Sequence, residues 1–329
     1  MTFRALLTER DDAGLVSSRV ANLDDSELPS GDVDIDIAWA GFNYKDGLCL
    51  TGVGGLVRTY PHVAGIDFSG TVRSSSDPRY VQGQSVLLTG WRVGETHWGG
   101  FSERARVNAD WLVPLPAGLS LRDAMVLGTA GLTAMLSIDR LEAAGVKAGD
   151  GDILVTGGAG GVGSLAIFLL GKLGYPVTAL SGRPELEAGL RDLGASAFLS
   201  RNEFLAEANK PLEASRWAAA VDNVGGAILG KVLKQMRYGG VVASVGNAAG
   251  IGLETNVLPF ILRAVTLIGI DSVMQPYATR VVAWGRLASL FEPTRYGRQV
   301  EEVSLEDLPQ AAQRILAGQV HGRLLVRPT

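Results

Sequence analysis

The chain has 329 residues, 47% hydrophobic and 19% charged, which is enough apolar material for a large core and excludes a disordered chain. Its formal net charge of −4 argues against a general nucleic-acid surface. One cysteine, Cys49, excludes an intrachain disulfide and, with 3 histidines, a cysteine-rich structural zinc site.

The first 124 residues read as β structure. Val33, Ile35, Ile37 and Trp39 alternate with Asp32, Asp34, Asp36 and Ala38, the pattern of a strand with one buried face. Short apolar runs recur at 69–72, 85–88, 101–107 and 111–113, separated by turn residues, and their spacing predicts a compact barrel or folded sheet. From Arg122 the pattern changes. Residues 124–141 are apolar at helical spacing and predict a helix that connects two domains. Strand candidates then follow at 153–155, 177–180, 197–199, 218–221, 241–245 and 267–270, with helices such as 185–193 and 228–235 between them. Six strands with crossover helices predict an α/β, doubly wound parallel sheet. Residues 277–316 read as helical and 321–327 as a closing strand that returns to the first domain. The expected division is 1–124 with 272–329, and 125–271.

The stretch Asp152-Ile-Leu-Val-Thr-Gly-Gly-Ala-Gly-Gly-Val-Gly163 carries the strongest chemical signal. A buried strand leads into glycines at 158, 160 and 163, and an apolar helix follows, which is the context of a dinucleotide-binding turn. Gly158 is expected at the tight turn, Gly160 where a Cβ would block the pyrophosphate, and Gly163 where helix and strand pack closely. The phosphate would rest on the helix N-terminus, with contacts at Gly158, Ala159, Gly160, Gly161 and Val162. The next strand ends in Ser181-Gly182-Arg183. An acid that would hold a ribose 2′-hydroxyl is missing there, and a hydroxyl and a guanidinium stand in its place. Ser181, Gly182 and Arg183 are therefore read as a 2′-phosphate clamp and the cofactor as NADPH.

The blocks Ala40-Gly-Phe-Asn-Tyr-Lys-Asp46, Pro61-His-Val-Ala-Gly-Ile-Asp-Phe-Ser-Gly-Thr-Val72, Gly128-Thr-Ala-Gly-Leu-Thr-Ala134 and Ala159-Gly-Gly-Val-Gly163 together resemble the medium-chain dehydrogenase/reductases. The resemblance implies a GroES-like β-barrel catalytic domain and a Rossmann domain. Zinc members of that superfamily have a His-Glu pair where this chain reads Gly65-Ile66-Asp67, so no catalytic metal is expected. Further blocks, among them His97-Trp-Gly-Gly100, Pro259-Phe-Ile-Leu-Arg263 and Gly269-Ile-Asp-Ser-Val-Met274, resemble the NADPH-dependent acryloyl-CoA reductase group. That implies reduction of the acryloyl-CoA double bond to propanoyl-CoA, by hydride transfer to the β-carbon and protonation of the α-carbon. A quinone or small enone reductase and a non-catalytic NADPH-binding protein are the competing readings.

The resemblance places Tyr44 beside the nicotinamide, in a loop, as proton donor or cofactor contact. Asn43 would offer an amide nearby, Lys45 would lower the phenol pKa or attract acyl-CoA phosphates, and Asp46 would orient Lys45. Asn43 and Asp46 equally suit a helix cap. Further cofactor contacts are expected at Thr133, Arg201, Asn223, Asn247 and Ser272. Arg58, Arg92 and Arg323 are candidates for coenzyme A phosphates, and the histidines are read as structural. No apolar run reaches the ~18 residues of a membrane span, because Pro259 and Arg263 interrupt the nearest, 257–270. Residues 1–10 lack the long apolar core of a signal peptide, and a cytoplasmic homodimer is expected.

Overall fold

The computed structural model describes residues 1–206 and 210–329. They form two compact units. One is Met1–Leu132 with Ser272–Ser289 and Gly297–Thr329; the other is Thr133–Asp271 with Leu290–Tyr296. The division falls inside the connecting helix rather than ahead of it. The segment 290–296, expected with the first domain, belongs to the second unit. There Phe291 and Tyr296 pack edge-on or tilted around Phe168, and the Tyr296 hydroxyl bonds Ser164 Oγ at 2.7 Å.

The first unit opens with strands β1 (Thr2–Arg10) and β2 (Val16–Asp24), an antiparallel hairpin that the sequence reading did not resolve. β1 sends Phe3, Ala5, Leu6 and Leu7 into the core. β3 (Val33–Phe42) buries Val33, Ile35 and Ile37, as alternation demands. On its other face Asp34 and Asp36 stand opposite Arg106 and Arg104. Helix α1 (Tyr44–Thr51) follows, then β4 (His62–Val63), β5 (Asp67–Ser75), β6 (Ser85–Thr89), β7 (Arg104–Val107) and β8 (Leu112–Pro114). Helix α2 (Leu121–Ala143) is long and apolar enough to cross a membrane by length and composition, contrary to the sequence reading. However, 78% of its apolar window is buried in the protein, the signature of a core helix. It breaks at Gly128, whose φ of 50° and ψ of −151° interrupt the helical turn.

The second unit alternates β9 (Ile153–Thr156), α3 (Gly161–Lys172), β10 (Val177–Ser181), α4 (Glu187–Leu193), β11 (Ala197–Ser200), α5 (Arg201–Ala206), β12 (Trp217–Asp222), α6 (Gly226–Lys234), β13 (Met236–Ser244), α7 (Leu258–Arg263) and β14 (Thr266–Gly269). The six strands are parallel, in the order β11-β10-β9-β12-β13-β14. Every residue of β9 is buried, as a central parallel strand covered on both faces requires. Strand order reverses direction between β9 and β12, and ligands settle at the carboxyl ends of strands at such a switch point.

The tail contributes α8 (Tyr277–Leu290), α9 (Pro293–Tyr296), β15 (Val300–Val303), α10 (Leu308–Leu316) and β16 (Arg323–Val326). β16 pairs antiparallel with β3 and closes the seven-stranded sheet β15-β16-β3-β5-β6-β8, with β7 also on β3. β2-β1-β4 form a separate three-stranded sheet. β15 lies in the stretch expected to be wholly helical. Its sequence, Val-Glu-Glu-Val, is too short to show a strand period, and parallel pairing with β16 decides its state.

Candidate active site

In the second unit the glycine turn follows β9. Gly157, not Gly158, takes the left-handed backbone, at φ 61°. Gly158 is instead a packing position, where a Cβ would sit 3.1 Å from Ile167 Cδ1. Gly163 lies so close to the turn that a Cβ would run into the Gly157 carbonyl oxygen. A Cβ on Gly160 would meet only that same oxygen, at 3.4 Å, so its outer side is open. Gly160 caps α3 without a side chain, and α3 has no acid in its first turn. The amides of Gly161 and Val162 thus open an uncapped helix start beside Ala159, which suits an anion.

Two groups shape the switch point: Asp222, which the sequence reading did not single out, and Asn223, which it expected as a cofactor contact. Asp222 at the end of β12 is buried and accepts the Thr156 hydroxyl at 2.7 Å and the Gly225 N–H at 2.8 Å. Burial pushes its carboxyl above the ordinary value. Beside it, the Asn223 amide donates to the Thr156 carbonyl at 2.7 Å, which aims Oδ1 the other way. That oxygen is buried and has no partner, so it fits a donor on a bound nucleotide. Asn247 lies exposed after β13, its Cα 3.2 Å from where a Gly225 Cβ would stand.

A group suited to a ribose is assembled by parallel register. Ser181 of β10 faces Ser200 of β11, and Arg201 follows at once. The Arg201 guanidinium lies across Gly182, where a Cβ would be 2.7 Å from its Cζ. The Ser181 hydroxyl accepts the Arg183 N–H at 3.1 Å, which leaves its own proton to donate. Partial burial draws the Arg183 guanidinium below its ordinary value, against an opposing effect of Glu185. It still carries charge, since arginine does not deprotonate in proteins. Ser181, Gly182, Arg183 and Arg201 therefore stand together, and they fit a phosphorylated ribose.

The first unit holds a second cluster. Tyr44 is the first residue of α1, not a loop residue, and is 44% exposed. Asn43 and Asp46 form a capping box around it. Asp46 Oδ2 accepts the Asn43 N–H at 2.8 Å and its amide nitrogen at 3.3 Å; Oδ1 accepts the Ile66 N–H at 2.9 Å. The Asn43 amide also reaches Asp67 Oδ2 at 3.1 Å, and its oxygen accepts Arg323 Nη1 at 3.1 Å. Both ends of that amide are engaged within the protein, so Asn43 is not the free amide expected. Lys45 pairs with Glu95 at 2.9 Å, not with Asp46. Arg323 is buried and donates to Val126 O at 3.0 Å as well as to Asn43, so it cannot meet coenzyme A. Asp67 accepts Gly41 N–H at 2.9 Å and Thr129 N–H at 2.6 Å. The break at Gly128 makes the second bond fit, since a Cβ there would stand 2.7 Å from Asp67 Oδ2.

The remaining candidates are dispersed. Thr133 is buried in the second unit, whereas Ser272 opens the α8 segment of the first, its carbonyl accepting Arg280 at 3.1 Å. Arg58 and Arg92 are exposed. His97 packs edge-on against Trp111 and bonds the Arg106 carbonyl at 2.8 Å, while His62 is buried; desolvation lowers both imidazoles. Cys49 is buried, and its thiol is pushed up by burial and by Asp46.

Asp46 gives a pH prediction. Burial, then the nearby Asp67, raises its carboxyl from 3.8 to about 7. The folded chain therefore holds a proton that the unfolded chain has lost, and this contribution to stability, present below pH 3.8, declines as pH rises towards 7. In urea melts across that range, wild type should lose stability relative to Asp46→Asn as pH rises. A constant difference between the two would remove Asp46 from the titration.

The uncapped helix start and the arginines beside Gly182 fit a phosphorylated dinucleotide, the cofactor of an oxidoreductase. The chain belongs to the medium-chain dehydrogenase/reductase superfamily. Residues 29–117 match the alcohol dehydrogenase GroES-like domain and residues 161–285 the zinc-binding dehydrogenase family. It is 52% identical to acrylyl-CoA reductase AcuI of Ruegeria pomeroyi over 98% of each chain. The yhdH oxidoreductase from Salmonella enterica, solved in complex with NADP, is 52% identical, with a TM-score of 0.95 over 98% of this chain and 99% of that one. YhfP of Bacillus subtilis, a putative quinone oxidoreductase, is 45% identical over 99% of this chain and 98% of the relative, and was solved with NAD bound at a TM-score of 0.95. The donor set does not fit the zinc in the second family's name. The Asp67 carboxylate is filled by N–H donors, and among the described residues no cluster of three metal-ligating side chains exists.

Proposed function

We propose that the chain is an NADPH-dependent acryloyl-CoA reductase. When bound, NADPH supplies the hydride that, with a proton, converts the 2,3-double bond of acryloyl-CoA into the 2,3-single bond of propanoyl-CoA. The residues of this chain bind, orient and protonate. Gly160, Gly161 and Val162 hold the pyrophosphate, Ser181, Arg183 and Arg201 the 2′-phosphate, and Asn223 Oδ1 accepts from the nicotinamide end. Tyr44 donates its phenolic hydrogen bond to the thioester oxygen, where charge grows, or its proton to the α-carbon. Thr133, Asn247 and Ser272 are proposed as peripheral nucleotide contacts. The observation that carries the reading is the basic ribose site at the end of β10, joined to near full-length similarity with an acrylyl-CoA reductase.

The similarity to a putative quinone oxidoreductase favours a second reading, a quinone or small enone reductase. Nicotinamide absorbance separates the two: oxidation with acryloyl-CoA but not with simple quinones supports the thioester reading, and the reverse refutes it. Tyr44→Phe should lower kcat by about 100-fold if the phenol gives the proton; unchanged turnover would remove it from that role.

A homodimer and a cytoplasmic location are part of the same proposal. β14 is an edge strand, flanked by Ile261 and Leu262, 68% and 57% exposed, and edges of that kind call for cover. Light scattering at the monomer mass would contradict the dimer.

A further inference from the structure

We propose that Asp46 is a positioning residue for Tyr44, one that touches neither substrate nor cofactor. The inference rests on the reading of Tyr44 given above. Among the described contacts the Tyr44 hydroxyl has no hydrogen-bond partner in the protein, so its place is set by the backbone of the turn that carries it. Three features lock that turn. Asp46 Oδ2 takes both nitrogens of Asn43, the residue before Tyr44. Asp46 Oδ1 takes the Ile66 N–H, which ties the turn to the start of β5. On its far side Gly47 lies against α10, where a Cβ would be 2.8 Å from Ile315 Cγ2.

Capping alone does not require this arrangement. The capping box of Asp24 and Glu27 works exposed, whereas Asp46 is fully buried beside a second buried carboxylate, Asp67. Burial of a carboxylate is costly unless its bonds are all made. Here each oxygen is bonded, Oδ2 to both nitrogens of Asn43 next to Tyr44 and Oδ1 to the Ile66 N–H. Asn43 completes the lock, since its amide bridges Asp46 and Asp67 while its oxygen holds Arg323. The arrangement fixes the backbone that carries a phenol whose hydroxyl has no hydrogen-bond partner among the described contacts.

The test is a double-mutant cycle of Asp46→Asn and Asp46→Ser with Tyr44→Phe, read in kcat and KM and joined to amide hydrogen exchange of α1 without nucleotide. Each Asp46 variant should lower kcat by about 100-fold, the scale of a misplaced reacting group. KM for NADPH should change less than about threefold, since the nucleotide site is not touched. In the Tyr44→Phe background the Asp46 effect on kcat should vanish, and α1 should exchange faster while the second unit does not. Multiplicative effects, a change confined to KM, or unaltered α1 exchange would each overturn the proposal. So would failure of both variants to fold, which would make Asp46 a stability element only. Absence of wild-type turnover with acryloyl-CoA would instead sink the functional reading, a separate result.

Discussion

Arg183→Ala combined with Arg201→Ala should raise KM for NADPH by about 100- to 10,000-fold while leaving KM for NADH within about threefold. Both arginines stand at the end of β10, the Arg201 guanidinium across Gly182 and Arg183 next in the chain, its N–H on Ser181 Oγ. Charge-assisted hydrogen bonds contribute about 1.5–3 kcal/mol each, and a factor of ten corresponds to about 1.4 kcal/mol. Two such contacts with a dianionic phosphate account for the expected range, and NADH, which lacks that phosphate, loses neither. Each single variant should show an intermediate loss. Nucleotide fluorescence titration gives the affinities without turnover. Equal weakening of NADPH and NADH would mean that these arginines support the fold of the turn rather than select the cofactor.

Asp67→Ala should destabilise the first unit by about 3–5 kcal/mol, the usual consequence of removing one partner from a buried charged cluster. Asp67 is fully buried, and its carboxylate receives Gly41, Asn43 and Thr129. Arg323, also buried, crowds the same two glycines, Gly41 and Gly128. Truncation leaves three N–H donors without an acceptor and Arg323 without a nearby counter-charge. Thermal melts should show a large loss, and Asp67→Asn, which keeps the shape and removes the charge, should fall between wild type and Asp67→Ala. A loss below about 1 kcal/mol, the level of a surface change, would show that the donors find water or other partners.

Much of the second unit was legible because its signals are local. Buried strands, a glycine turn and helices at regular spacing lie within a few residues of one another, and the six parallel strands follow from them. Within the turn the reading erred by one residue, because only backbone geometry shows that Gly157 takes positive φ while Gly158 packs against Ile167. In the first unit the determinants are distant. Arg323 bonds Asn43 across 280 positions, so its role as a buried anchor leaves no mark in sequence and it resembled any other cation. Asn43 and Asp46 showed their capping pattern, but that Asp46 is buried and Lys45 turned to Glu95 depends on β5 and the 90–100 loop folding over α1. β1 was obscure because Phe3, Ala5, Leu6 and Leu7 do not alternate with polar residues.

The most direct measurement is the fate of a labelled hydride. With NADPH deuterated at nicotinamide C4 on the transferring face and acryloyl-CoA in ordinary water, the product should be propanoyl-CoA with its deuterium on the β-carbon. Deuterium on the α-carbon, or nucleotide oxidation that leaves the 2,3-double bond intact, would contradict the account.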